Sequence, residues 1–239
     1  NLIVKLENFN TYYKLSGHMK NYSKRHFCKS IAYSFLALNF IPSISLANSS
    51  NNEVMGQSLE INGKVIKGLI DNIKSANIKS RDNQSILKLK NDIYLISKNS
   101  ELEFKDNKIF RIIKGAVHSV FGKQKNELNI RTTNGTIGIR GTSTYIEIEE
   151  KFSRTYVCNC YGQTNIYDKN NSLKKEIKSK YHSPAIITGD GNVGASPYNI
   201  PLNHYDDHIE ELNNLVGRFP NWKLPEGKKI FISLNNLKI

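Results

Sequence analysis

The sequence predicts an all-β protein (a sandwich, a roll or a short solenoid) with one amphipathic helix near its C-terminus. Apolar and polar residues alternate with period two from Val54 to Tyr167. Turn-forming residues interrupt that alternation roughly every 8–12 positions, the rhythm of short antiparallel strands. Helical spacing of apolar residues occurs instead between Asn203 and Gly217.

The elements follow in chain order. Ser58–Ile61 and Lys64–Lys67 flank Asn62-Gly63, a dipeptide that suits both positive-φ positions of a tight hairpin. Ile86–Leu89 and Ile93–Ile96 flank a turn at Lys90-Asn91-Asp92. Leu102–Phe104 and Ile109–Ile113 flank another at Lys105-Asp106-Asn107. Further strands are expected at Leu128–Arg131, Ser143–Ile148, Thr155–Cys160 and Gln163–Tyr167, where Val, Ile, Thr and Tyr dominate. Lys169–Lys180 is polar and Gly189–Pro201 is rich in Gly, Pro and Asn, so both read as loop. Tyr205, Ile209, Leu212 and Val216 then form a helical stripe. Asn203 is the expected cap, Asp206-Asp207 complement the positive end of the helix dipole, and Gly217 suits the C′ position. Lys228–Ile239 is read as a last strand or a frayed tail. The organisation expected is 1–47 upstream residues and export signal, 54–167 β domain, 168–202 loop-rich linker, and 203–239 helix and tail.

The N-terminal segment points to a compartment. Met19 is the first possible start. After it come Lys20, Lys24, Arg25 and Lys29, then the apolar run Ile31–Ala47, which ends in Ser45-Leu46-Ala47. This is the three-part layout of a secretory signal, with cleavage expected after Ala47 and a mature chain from Asn48. The alternative is an uncleaved anchor facing the periplasm, which would be the chain's one membrane contact. Of 34 basic and 21 acidic residues, six and one lie in the first 47, which leaves 28 against 20 and a charge of +8. Those charges are spread out among apolar residues, the densest basic run, Lys174–Lys180, has no aromatic until Tyr181, and no nucleic-acid-binding motif appears, so nucleic acid is not an expected partner.

Two blocks carry a family resemblance. Ile130 to Tyr145 reads IRTTNGTIGIRGTSTY and is followed by Tyr161-Gly162. With the Asn62-Gly63 hairpin and the Asn99-Ser100 step before Leu102, it resembles the FecR domain, a periplasmic β-rich module. Thr155–Gly162 (TYVCNCYG), His182, and Asn203-His204 through Gly217-Arg218 resemble a subgroup of exported, stand-alone FecR-like proteins. Tyr205 stands where that subgroup has a capping Thr, and Asn221 where a second Pro is usual. The resemblance implies a module of iron-responsive surface signalling, here without the cytoplasmic anti-sigma region. It also implies binding of a small ligand or an envelope protein, with a structural envelope protein as the alternative.

Four residues carry the candidate chemistry. Cys158 and Cys160 lie at i and i+2 of a strand, so both thiols share one face. They can bind zinc or another soft metal with His182 and His204, form a disulfide, or stay buried and reduced. A metal site requires the chain to bring a histidine back onto that strand. His208, one turn beyond His204, either extends this set or, as the favoured reading, lies on the exposed helix face. Arg140, between Gly138 and Gly141, is read as a buried scaffold arginine or a ligand-binding one. Asp206-Asp207 and Glu210-Glu211 read as a solvated helix face, and the glycine-rich stretch from Gly189 lacks the lysine and helix of a phosphate cradle. No catalytic signature is complete, and the chain is expected not to be an enzyme; a metal- or thiol-dependent enzyme is the remote alternative.

Overall fold

A computed structural model describes residues 51–123, 125–198 and 201–220. The signal segment, the cleavage point, Asn221 and the Lys228–Ile239 tail lie outside the described residues. The protein is all-β with one helix near the C-terminus, as its alternation dictates. Its strands are β1 (Asn52–Ile61), β2 (Lys64–Ile70), β3 (Ser75–Lys79), β4 (Ser85–Leu89), β5 (Asp92–Ile96), β6 (Glu101–Lys105), β7 (Lys108–Lys114) and β8 (Ala116–Val120). There follow β9 (Leu128–Arg131), β10 (Thr136–Ile139), β11 (Ser143–Glu149), β12 (Arg154–Tyr167), β13 (Leu173–Ser179), β14 (Ser183–Ile187) and β15 (Val193–Ala195). Helix α1 spans Asp206–Leu215. None of the described helices is long and apolar enough to cross a membrane.

The fifteen described strands join one sheet; thirteen run in the order β10-β9-β7-β6-β3-β1-β4-β5-β8-β11-β12-β14-β15, while β2 pairs with β1 and β13 with β12 off this path. Pairing is antiparallel apart from β7 with β9. The predicted hairpins form: Asn62 and Gly63 both take positive φ between β1 and β2, as do Asp106 and Asn107 between β6 and β7. Strand β12 organises the rest. Its first half pairs with β11 and β14, its second half with β10 and β13, so one strand serves two parts of the sheet.

The main core includes Leu59, Leu87, Tyr94, Phe104, Ile130, Ile146 and Ile166. On the other face of β5 and β8, Ile93, Leu95 and Val120 pack with Ile86 against Leu212 of α1. Covering on both faces accounts for the unbroken apolar run Ile93–Ile96, which alternation alone does not require.

Three readings are corrected. The stretch 169–180, read as loop, contains β13, and Val193–Ala195 in the second loop forms β15. In β13 Ile177 is the one buried apolar side chain, so a strand with a single inward contact looks polar in sequence. The helix begins later than Asn203: Tyr205 is its N-cap and makes no side-chain capping bond. Asn203 instead takes φ 55° and donates its amide to Glu147. Gly217, at φ 65°, does end the helix.

Candidate metal centre

The centre is built on β12. Cys158 and Cys160 are fully buried free thiols on the face that meets α1, in one cluster with Tyr145, Tyr156, Tyr161 and Ile209. Thr144 pairs with Asn159 and Ser143 with Tyr161, which leaves Cys160 opposite no residue of β11. This bulge inserts an extra residue in the strand, which re-aims its neighbours.

The histidines arrive from two other stretches. Cys158 pairs with Pro184 at the start of β14, which sets His182 beside the sulfurs. Its Nδ1 lies 3.5 Å from Cys158 Sγ, and its Nε2 lies 2.9 Å from Asp206 Oδ1. Asp206 in turn accepts the Tyr181 hydroxyl at 3.0 Å. His204 immediately precedes the helix cap and is fully buried, stacked on Tyr145 at 4.5 Å and 10°. Its Nδ1 is 2.6 Å from the Leu202 carbonyl, which can only accept, so Nδ1 carries the proton. Nε2 therefore presents a bare lone pair, and it has no hydrogen-bond partner among the described residues.

One ligand atom from each of Cys158, Cys160, His182 and His204 lies within 4.8 Å of the others. The tetrahedral edge expected from bonds of ~2.3 Å to sulfur and ~2.0 Å to nitrogen is ~3.3–3.8 Å. The Cys158–His182 contact already has that length, and the longer separations need a contraction of about 1 Å. Both imidazoles carry the outer hydrogen bonds that orient metal-ligating histidines: a carboxylate on His182 and a backbone carbonyl on His204.

Electrostatics favour a deprotonated sulfur. Burial pushes the Cys158 thiol up, but a hydrogen bond from Cys160 and the His204 and His182 imidazoles outweigh it and hold it well below the usual thiol range. Burial, and then the neighbouring Cys158, drive Cys160 the other way. Burial works against a charged His182, yet Asp206 and Cys158 raise it to about 9.

Two members of the surroundings were not foreseen. His118, fully buried on β8, sets Nε2 3.7 Å from Cys160 Sγ and 3.2 Å from Ser143 Oγ. Burial first, then the nearby His204, His208 and His182, keep it neutral. Its one sequence signal is a histidine inside the apolar run 116–120. Asp206 was read as part of a solvated face; it is buried because His182 and Tyr181 hold it. His208 is also largely covered, its ring 6.5 Å from that of His118.

Arg140 lies elsewhere and is not buried. Its side chain is 59% exposed and donates to Glu127 Oε2 at 3.3 Å. Gly141 takes φ 74°, which favours glycine, and a Cβ at Gly138 would lie 2.4 Å from the Glu127 carboxyl carbon and displace that side chain.

No family model matches the chain, and no curated protein matches it. Two crystal structures of a "putative anti-sigma factor" from Parabacteroides distasonis are similar, each at 10% identity and a TM-score of 0.42. One alignment covers 51% of this chain and 59% of that one, the other 50% and 58%. The chain thus spans somewhat over half the length of these structures.

Proposed function

We propose that this protein is an exported, non-enzymatic FecR-like binding module of the cell envelope whose ligand is a soft or borderline metal ion, zinc first. The observation that carries the reading is the convergence of Cys158, Cys160, His182 and His204, with the lone pair of His204 Nε2 buried and unpartnered. An apolar surrounding makes such a lone pair costly, and a cation removes the cost. Two sulfurs and two nitrogens in a closed, buried set suit zinc held by protein ligands alone. The GIRGT and TYVCNCYG blocks support the FecR-like assignment, and the segment before Asn48 supports export. Arg140, with its exposed head, is a surface position for an envelope partner.

Elemental analysis of the purified protein tests this. About one zinc per chain, lost in Cys158→Ser/Cys160→Ser, is the expected result; a metal retained equally by both proteins would sink it. Copper in place of zinc would keep the site and change its ion. Peptide mapping of cell fractions tests export, and an intact Ile31–Ala47 segment in a carbonate-washed membrane fraction would indicate the anchored form.

Cys158, His182 and Asp206 also line up as nucleophile, base and orienting carboxylate. The sulfur has no exposed surface, so no substrate carbon reaches it, and burial favours ligation over catalysis.

A further inference from the structure

The four ligands come from three separate stretches of chain: two from β12, one from the lead into β14, and one from the lead into α1. Asp206, in the first turn of α1, is tied to the same centre through His182. The start of the helix thus has two attachments to the centre. Its cap residue, Tyr205, supplies no side-chain capping bond.

The helix depends on such attachments. Ten residues make a rod of ~15 Å, shorter than an isolated helix needs for stability in water. Its far end is held by a hydrogen bond of 2.9 Å from the Tyr161 hydroxyl to Asn213 and by Arg218 on the Asn91 carbonyl. Along its length Ile209 and Leu212 are buried, and the helix covers Ile86, Ile93, Leu95 and Val120.

Resting on the metal reading above, we propose that the ion is a clasp: its occupancy decides whether the segment 201–218 stays docked on β4, β5 and β8. The physical lever is His204. With an ion bound, its Nε2 lone pair is satisfied in place. Without one, it is left to the neighbouring Cys158 thiol, which makes no well-formed hydrogen bond to it, or to water, and water reaches it only if His204 lifts, drawing Tyr205 and Asp206 with it. Lifting exposes the apolar strip of β5 and β8, so metal occupancy becomes a change of surface. An ion that binds only the docked form shifts the equilibrium toward it by its full binding advantage.

Hydrogen–deuterium exchange of the full chain, with excess zinc or with chelator, tests the clasp. Exchange in 201–218 is expected to slow at least tenfold on adding zinc. Smaller gains are expected at 85–96 and 116–120, and none in β6 and β7. Zinc bound one per chain with unchanged exchange in 201–218 overturns the clasp alone. Failure to bind either zinc or copper overturns the metal reading and the clasp together. His204→Gln provides a second arm that retains three ligands: its zinc-dependent protection of 201–218 should drop at least fivefold while Cys158, Cys160 and His182 still take zinc. Undiminished protection in that variant overturns the proposal.

Discussion

Asp206 and His182 are 24 residues apart in sequence and 2.9 Å apart between Oδ1 and Nε2, with both side chains almost wholly covered. The carboxylate holds the Nε2 proton and orients the ring so that Nδ1 faces Cys158. Asp206→Asn removes the charge and keeps the shape. It is expected to weaken zinc binding about 10–100-fold without changing the stoichiometry, as read by competition with a chromophoric chelator. Unchanged affinity would show that the carboxylate serves the fold alone.

The core makes an independent demand. Phe104 is 1% exposed and meets Tyr94 edge-to-face at 5.1 Å. Phe104→Ala should cost about 3–5 kcal/mol in urea denaturation and leave metal content per folded chain unchanged.

Gly115 links β7 to β8 at φ 76°, and a Cβ there would lie 2.3 Å from Ser100 Oγ and 2.7 Å from Ser100 Cα. That hydroxyl bonds both the amide and the carbonyl of Ala116, at 3.0 and 3.1 Å. Gly115→Ala is expected to destabilise the protein by about 2–4 kcal/mol through strain and broken bonds together. A loss under about 0.5 kcal/mol would mean that the Ser100 turn yields freely.

Arg140 and Glu127 should behave unequally. Arg140 is exposed, and its loss to Ala should cost less than about 1 kcal/mol. Glu127 also accepts from Asn165 and from the Tyr167 hydroxyl, both at 2.6 Å, so Glu127→Ala should cost about 1–3 kcal/mol. Equal losses would place the weight on the ion pair itself.

Acid should weaken the metal-free fold through His208. Burial, and then the neighbouring His204, hold its imidazole at about 4, below the ordinary 6.5. The groups facing it are His204, the His118 ring at 6.5 Å and the Tyr205 ring at 5.3 Å. Between pH 6.5 and 4 the unfolded chain takes a proton that the folded chain refuses, so stability falls as pH falls and is flat above 6.5 for this group. His118 contributes in the same direction, whereas His182, raised to about 9, is protonated in both states by the lower half of that range and adds little slope there. Urea midpoints in chelator should decline from pH 6 through 5 to 4.5, and less steeply in His208→Gln. Parallel declines in the two proteins would exclude His208 as the cause.

What was legible in the sequence follows from which physics is local. Strand alternation and the Asn62-Gly63 turn are local, and they predicted β1, β2 and the hairpins that follow. The Cys-x-Cys face also follows from strand period, and it named two of the four residues that converge; the two histidines were found as positions to which the chain had room to return. β13 was hidden because its inward contact is one residue, Ile177. Asp206 was hidden because an acid at a helix start is already accounted for by the dipole. Its burial depends on His182, a partner that sequence spacing does not reveal. His118 was hidden because a strand covered on both faces admits a polar residue without breaking its apolar run.

The ligand atoms occur along the chain in the order Cys158, Cys160, His182, His204, with both sulfurs ahead of both imidazoles. During synthesis, β12 therefore emerges and can pair with β11 while the last imidazole is still unmade. Every nascent chain passes through an interval with two neighbouring thiols and no completed set of donors. That interval is when the sulfurs are open to oxidation or mispairing, because the mature fold covers them completely. The yield of intact protein should thus depend on how quickly the chain from Tyr167 to Asp206 follows β12 out.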